Sequence, residues 1–423
     1  MVNNSEARRV VVTGMGAITP SGPDVKTAWG NLIEGRSGII KLENELTGIK
    51  VAGKVPNFNS EYVLSRLPRK VDLERIDSAV LFSLAASDEA LRSSNLISQQ
   101  GQIFPEIDRT RFGAIIGTGA GGSFEIGNIR RTIDSGKSVR ARDSMRIFIE
   151  RVATVPSMVW GLQGSTYSVS AACATGNVAI AAGMDQIKLN RADIMMVGGT
   201  EGKINEMTLE LFQALRAVTR ESDPTKASRP FDKKRRGFVV SEGAGILILE
   251  ELEYALNRGA IPLAEIVGQG ITADGDIRYE TSPTEEGELR AMNLASNGIP
   301  DLMESDPVYI NFHATATDVG DRIEGNTVKK AFPRQAKIYG WAPKGPLGHM
   351  LGAAGGAETI FTIKTLETRI LPPMVNLEDP IPELEGVIYS TDKAIVIDAR
   401  YAFSNSFGFG GENAVLAIRV FDR

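Results

Sequence analysis

The chain has 423 residues, 42% of them hydrophobic, with a formal net charge of −5, one cysteine and two histidines. That apolar content suits a large core, and the length suggests two or three domains. The single cysteine excludes a disulfide framework and a cysteine-rich zinc site, and the negative charge argues against a nucleic-acid binder.

Residues 1–9 are polar and run straight into a strand, so no signal peptide is expected. No uncharged apolar run approaches bilayer-spanning length, and the expectation is a cytoplasmic protein with no membrane partner. Residues 9–16 read as a strand ending in a glycine turn. Its Gly14 and Gly16 lack the third glycine of a dinucleotide fingerprint. Apolar residues at helical spacing predict a helix over 77–91. Residues 112–122 form a buried strand running into a glycine loop, and 192–199 repeat that pattern. Residues 166–170 alternate like a strand, and 178–184 read as a buried, Ala-rich helix. A buried strand over 243–250 leads to a helix ending near Leu256. After Arg258 the rhythm begins again, with strands over 263–268, 308–312 and 337–340. A helix runs from about Gly352 to Glu367. The last strands cover 394–397 and 414–418, with residues 405–411 as a loop before the final one. Buried strands alternating with helices mean an α/β architecture with parallel-rich sheets. The repeated rhythm predicts an internal duplication, with halves at residues 8–257 and 258–423.

The stretch Ser170-Ala171-Ala172-Cys173-Ala174-Thr175-Gly176-Asn177 holds the only thiol among small side chains. A strand turning sharply into a helix leaves Cys173 at the helix N-terminus, where unpaired N–H groups and the macrodipole favour a thiolate. The plainer alternative is an inert, core-packed cysteine, because free cysteines are among the most buried residues. Against it stand His313 and His349, the only histidines, both in Gly/Ala/Thr-rich loops of the same kind. A metal site is not expected, since close ligand pairs such as H-x₃-H are missing. Nucleophilic acyl transfer fits better: a thiolate accepts the acyl group, and imidazoles handle protons or stabilise an oxyanion.

Four segments in order carry a family resemblance. They are the Cys173 stretch, His313-Ala314-Thr315-Ala316-Thr317 with Gly320, Asp321 and Glu324, Lys344 with Gly348-His349 and Gly352-Ala353-Ala354-Gly355, and Asn405 to Gly411. Arg229-Pro230-Phe231-Asp232 and residues 237–245 strengthen it. From Arg9 to Val420 the chain resembles the elongating β-ketoacyl-acyl-carrier-protein synthases of type II fatty-acid and polyketide systems. The resemblance implies a thiolase-like αβαβα layered sandwich built from two duplicated halves, acting as a homodimer or as a heterodimer with a chain-length factor. It implies that Cys173 takes an acyl chain from an acyl carrier protein, and that decarboxylating malonyl on a second carrier then attacks it. His313 and His349 would stabilise the enolate. The N–H groups of Cys173 and Phe409 would form the oxyanion hole, with Phe409 also the gate. Lys344 would pair with Glu324 behind the histidines, either in catalysis or as a structural salt bridge. Thr315 and Thr317 would bind the pantetheine arm, and Phe212, Phe407 and Ala120 would shape the substrate pocket. Arg66, Arg69, Lys70 and Arg216 would dock the acidic carrier protein. No cofactor is implied beyond the phosphopantetheine that carries the substrates. Ala120 stands where many fatty-acid enzymes carry a bulkier residue, opening the pocket unless Met145 or Phe148 fills the gap.

The chain departs from the family pattern at Ala314 and Ala316, which replace glycines, at Gly345, which replaces serine, and at Ser241, which replaces glycine. These changes suit a specialised enzyme, and a polyketide pathway is the leading expectation, with fatty-acid elongation as the alternative. A non-catalytic chain-length factor would lack the nucleophile. A degradative thiolase would need a second cysteine, and an initiating synthase would carry Asn in place of one histidine.

Overall fold

The structure, a computed structural model, describes residues 8–42, 48–277, 283–299, 302–335 and 337–421. The polar start at residues 1–7 lies outside them. Eleven strands form one mixed sheet. They are β1 (Val10–Ile18), β2 (Phe112–Gly117), β3 (Thr166–Tyr167), β4 (Ile194–Glu201), β5 (Gly243–Glu251) and β6 (Ala264–Ala273). The series continues with β7 (Val308–Asn311), β8 (Ile338–Trp341), β9 (Val387–Ile388), β10 (Tyr401–Phe407) and β11 (Glu412–Val420). Their order is β9-β8-β7-β10-β11-β6-β1-β5-β4-β2-β3.

One pairing scheme occurs twice. β1 is antiparallel to β5 and β5 to β4, while β4–β2 and β2–β3 are parallel. Likewise β6 is antiparallel to β11 and β11 to β10, while β10–β7 and β7–β8 are parallel. Among the described residues the strand pairs Val11↔Glu265 and Val12↔Ala264 join the two runs, at β1 and β6. The parallel strands are covered on both faces, which is why β2 and β4 are buried along their whole length.

The longer helices of the layers include α1 (Ser78–Ser93), α2 (Arg151–Trp160), α3 (Thr175–Lys188), α4 (Glu285–Ser296), α5 (Asp318–Ala331) and α6 (Ala354–Thr368). α3 and α6 pack on each other and on both runs of strands, forming the middle layer. α6 is buried on nearly every side, its Glu358, Thr359, Thr362 and Thr365 included, as a central helix must be. α1 and α2 cover the outer face of the first run, and α4 covers that of the second with α5 packed beside it. The result is the thiolase-like layered fold. Among the described residues no helix is long and apolar enough to cross a membrane.

Three details depart from the sequence expectation. β1 does not turn at its glycines but continues to Ile18. A Cβ at Gly14 or Gly16 would fall on the carbonyl oxygens of Ala90 or Ala86, so these glycines let α1 lie directly on the strand. Asn405 to Phe407 are not loop; they end β10, and the turn begins at Gly408. The strand near residue 395, Ile395–Val396, pairs with Ile370–Leu371 outside the main sheet.

Candidate active site

The two central helices bring the site together. A 3₁₀ turn, Ala172–Ala174, precedes α3, and another, Leu351–Ala353, precedes α6. A Cβ on Gly176 would fall on the backbone nitrogen of Gly356, so the helix starts touch backbone to backbone. Cys173 ahead of α3 and His349 ahead of α6 are thereby drawn into one cavity of about 280 Å³. His313, in the loop after β7, joins them there with Phe238, Thr315, Thr317, Glu288, Glu324, Phe407 and Phe409.

Cys173 is buried, and burial pushes its thiol up to about 12. The charge of Lys344 and the N–H of Phe409, which donates toward the sulfur, act in the opposite direction. The resting side chain is therefore a thiol, and the helix N-terminus alone does not make it the favoured thiolate that the sequence suggested. Both imidazoles are held well below their ordinary range, first by burial and then by Lys344, so they are neutral. A neutral imidazole keeps one N–H to donate. His313 Nδ1 and both nitrogens of His349 have no hydrogen-bond partner among the described residues. The two rings stand edge to face, 5.5 Å apart and 85° inclined. Phe407 buttresses His313 at 5.8 Å, and Phe238 buttresses His349 at 4.9 Å with Phe212 edge-on behind it.

The expected Lys344–Glu324 pair does not form. Lys344 Nζ donates to Glu358 Oε1 of α6 at 2.6 Å, with both side chains 1% exposed. Glu324 is occupied elsewhere: it accepts the N–H groups of His313 and Ala314, each at 2.7 Å, and the Asn405 side-chain amide at 2.9 Å. Those three donors occupy both its oxygens and pin the histidine loop to β10, and Lys344 acts on it only through its charge.

Sequence reasoning missed two residues. Glu201, at the end of β4, accepts the N–H groups of Gly119, Ala120 and Gly352 and the Thr118 hydroxyl at 3.0–3.1 Å. It ties the glycine loop after β2 to the turn before α6. A glutamate ending an otherwise apolar buried strand was the available signal. Phe238 was visible within residues 237–245, but nothing in the sequence placed its ring on His349.

Three of the departures from the family pattern, Ser241, Ala316 and Ala314, have local accounts. Ser241 is buried, and Gly53 and Gly348 lack the side chains that would strike its Oγ. Its N–H donates to the His349 carbonyl at 2.9 Å. Ala316 is buried at φ +60°. That backbone costs an alanine about 1 kcal/mol or more, a loss comparable to the about 0.8 kcal/mol gained by burying its methyl group. Ala314 is equally buried without that φ. We expect Ala316→Gly to be nearly neutral and Ala314→Gly to cost about 1–2 kcal/mol, read as the difference in urea midpoint between the two variants.

Thr315 and Thr317 place their hydroxyls 3.1 Å apart at the cavity wall, and Thr317 also caps α5. Ala120 does not border this cavity; it lines a smaller space with Asp77, Glu201 and Leu351, which neither Met145 nor Phe148 lines. Arg66 is engaged with Asp88 and the Tyr62 hydroxyl, and Arg69 donates to the Met158 carbonyl. Lys70 and Arg216 are exposed. Arg216 borders both the site cavity and an adjoining cleft of about 1000 Å³ lined by Arg220, Lys226, Arg229, Lys234 and Arg236.

A buried thiol at a helix start, facing two neutral imidazoles in a layered α/β fold, defines a thiolase-like acyltransferase. The family model "Beta-ketoacyl synthase, N-terminal domain" matches residues 7–255, and "Beta-ketoacyl synthase, C-terminal domain" matches 263–378. The chain belongs to the β-ketoacyl synthase family. It is 37% identical over 427 residues to 3-oxoacyl-[acyl-carrier-protein] synthase 2 of Staphylococcus aureus (strain COL), covering 99% of this chain and 100% of the relative. It is similar to the solved ishigamide ketosynthase/chain length factor, with 28% identity and TM-score 0.87 over 98% of this chain and 100% of that one. It is also similar to AntDE:AntF, a type II PKS acyl-carrier protein in complex with its ketosynthase bound to the hexaketide. There the identity is 28% and the TM-score 0.85, over 99% of this chain and 100% of that one.

Proposed function

We propose that the protein is a β-ketoacyl-acyl-carrier-protein synthase carrying out decarboxylative condensation. The observation that carries this reading is Cys173 at the start of α3, sharing one cavity with two neutral imidazoles, of which His313 Nδ1 and both His349 nitrogens find no hydrogen-bond partner among the described residues. Cys173 sulfur attacks the thioester carbonyl of an acyl carrier protein. The oxyanion rests on the N–H groups of Cys173 and Phe409, and the carrier thiol leaves with the proton that Cys173 gave up. A malonyl thioester then enters, and its carboxylate departs as CO₂. The electron pair left behind forms an enolate, whose oxygen takes hydrogen bonds from His313 and His349. Its carbon attacks the acyl–Cys173 carbonyl, expelling the thiolate, which takes up a proton, and yielding a 3-oxoacyl thioester. Incubation with acyl- and malonyl-loaded carrier protein tests this: CO₂ and 3-oxoacyl product appear together, and CO₂ without product would refute condensation.

A polyketide pathway is the preferred setting, supported by Ala314, Ala316, Gly345 and Ser241 and by the likeness to polyketide ketosynthases. Fatty-acid elongation is supported by the higher identity to a 3-oxoacyl synthase. Products accumulated with and without reductive partners separate the two. We read residues 8–257 and 258–423 as duplicated halves on the strength of the repeated pairing scheme. Pairing with a second copy or a chain-length factor is supported by Ile126, Met145, Phe148, Ile149 and Met158, all more than 40% exposed. Substrates borne by a carrier protein suit a cytoplasmic enzyme.

The acidic carrier would dock where positive charge is uncommitted. We expect Lys70→Glu with Arg216→Glu to raise the carrier-protein KM several-fold at low salt and to flatten its salt dependence, measured in steady-state assays at two ionic strengths.

A further inference from the structure

Among the described residues bordering the site cavity, the reaction proposed above leaves one buried acid unused. Glu288, in the first turn of α4, borders the same cavity as Cys173 and both histidines. Its side chain is as inaccessible to solvent as that of His349. Neither of its carboxyl oxygens has a hydrogen-bond partner among the described residues. The Thr327 hydroxyl donates to the Ile323 carbonyl at 2.9 Å and eases the Glu288 carboxyl downward. Glu324 interacts with it through negative charge and has its own oxygens already taken by His313, Ala314 and Asn405. Burial first, then Glu324, push Glu288 well above the ordinary carboxylate range, and Asp274 and Glu285 act the same way. The shift favours the protonated carboxyl, an O–H donor that borders the cavity with no partner in hydrogen-bond geometry among the described residues, and a buried polar group in that state calls for an explanation.

We propose that Glu288 recognises the carboxylate of the malonyl extender, donating its O–H to that anion in the cavity. This rests on the condensation reading above. Among the described residues bordering the cavity, the only cation is Arg216 at its exposed edge. Lys344 is bound to Glu358, and the histidines are neutral. An anionic extender thus meets no positive charge at depth and depends on neutral donors. A hydrogen bond from a neutral acid to a carboxylate is charge-assisted and strong. An acyl chain on its way to Cys173 carries no anion and leaves the donor unpaired. The contact therefore separates the two substrates that use one cavity, in the way that a site built to bond a polar group discriminates against analogues lacking it.

The test compares Glu288→Gln, Glu288→Leu and Glu288→Ala by two measurements on each preparation. One is the rate at which octanoyl-carrier protein acylates Cys173, read by mass spectrometry; the other is the KM for malonyl-carrier protein in condensation. Glu288→Leu is expected to raise the malonyl KM about tenfold relative to the change in loading rate. Glu288→Gln, which donates N–H without ionising, recovers most of that loss. Should the leucine variant fail to load because it does not fold, the smaller alanine variant is judged by the same two numbers. The proposal is overturned if malonyl KM and loading change together, if Gln behaves like Leu, if neither measurement moves, or if the alanine variant also fails to load. A wild-type enzyme that never loads acyl groups refutes the condensation reading itself, which distinguishes that failure from this one.

Discussion

Replacing Cys173 with alanine leaves a folded protein that forms no acyl-enzyme and makes no 3-oxoacyl product. The cysteine sits among Ala171, Ala172 and Ala174 in the turn before α3. Alanine suits that backbone and removes only a sulfur atom from a cavity wall, a cost of about 1 kcal/mol. Condensation loses its nucleophile altogether, and the rate is expected to fall by more than about 10³-fold. The histidines are untouched, and their neutral N–H donors remain able to hold an enolate. Decarboxylation of malonyl-carrier protein is therefore expected to continue in Cys173→Ala, uncoupled from product. Mass spectrometry of the protein and CO₂ release measured on one sample check both halves. An acyl adduct on the alanine variant would remove Cys173 from the mechanism. A loss of CO₂ release equal to the loss of product would remove the division of labour between thiol and imidazoles.

The parts of this arrangement legible in the sequence are those fixed by local pattern. Continuous apolar runs announced β2, β4 and β5, and the helical spacing after Asp77 announced α1, which Asp77 caps by accepting the Val80 N–H at 2.9 Å. The small-residue stretch around Cys173 was legible for the same reason, because a tight turn and a helix start use residues next to one another. What escaped depends on distant partners. Asn405 and Ser406 read as the start of a loop, yet with Ser404 they lie in a buried strand. There the Ser404 carbonyl accepts the Asn177 amide and Asn405 donates to Glu324, contacts that satisfy polar groups far apart in sequence. Gly14 and Gly16 read as a turn because the helix that needs their missing side chains begins more than sixty residues later. Glu288 drew no reading from the sequence at all; it is the packing of α4 against α5 and β6 that makes it a buried acid.

The choice of partner for Lys344 has the largest consequence for stability. Glu358→Ala leaves an ammonium group 1% exposed with its counter-charge gone, a change expected to cost about 3–5 kcal/mol. Lys344→Ala is expected to cost less, because the stranded group is then a carboxyl that can take up a proton. Burial already raises Glu358, and Lys344 is the charge that pulls it back. Without Lys344 its folded-state pKa rises further above the unfolded value. A carboxyl raised on folding binds more protons in the native state, so its variant is most stable below the unfolded pKa and loses stability as pH climbs toward the folded one. Lys344→Ala should therefore weaken progressively from about pH 5 upward relative to wild type, and the paired variant Lys344→Met with Glu358→Met should remove that trend and recover much of the stability. It should not recover activity. Lys344 also draws the Cys173 thiol down and adds its charge to the burial that keeps both imidazoles neutral. With methionine there, the thiol is harder to ionise and the histidines move back toward protonation. Unfolding midpoints and Cys173 acylation rates, each followed from pH 5 to 9, separate the two roles. If the paired variant loads acyl groups at the wild-type rate across that range, the ion pair is structural alone.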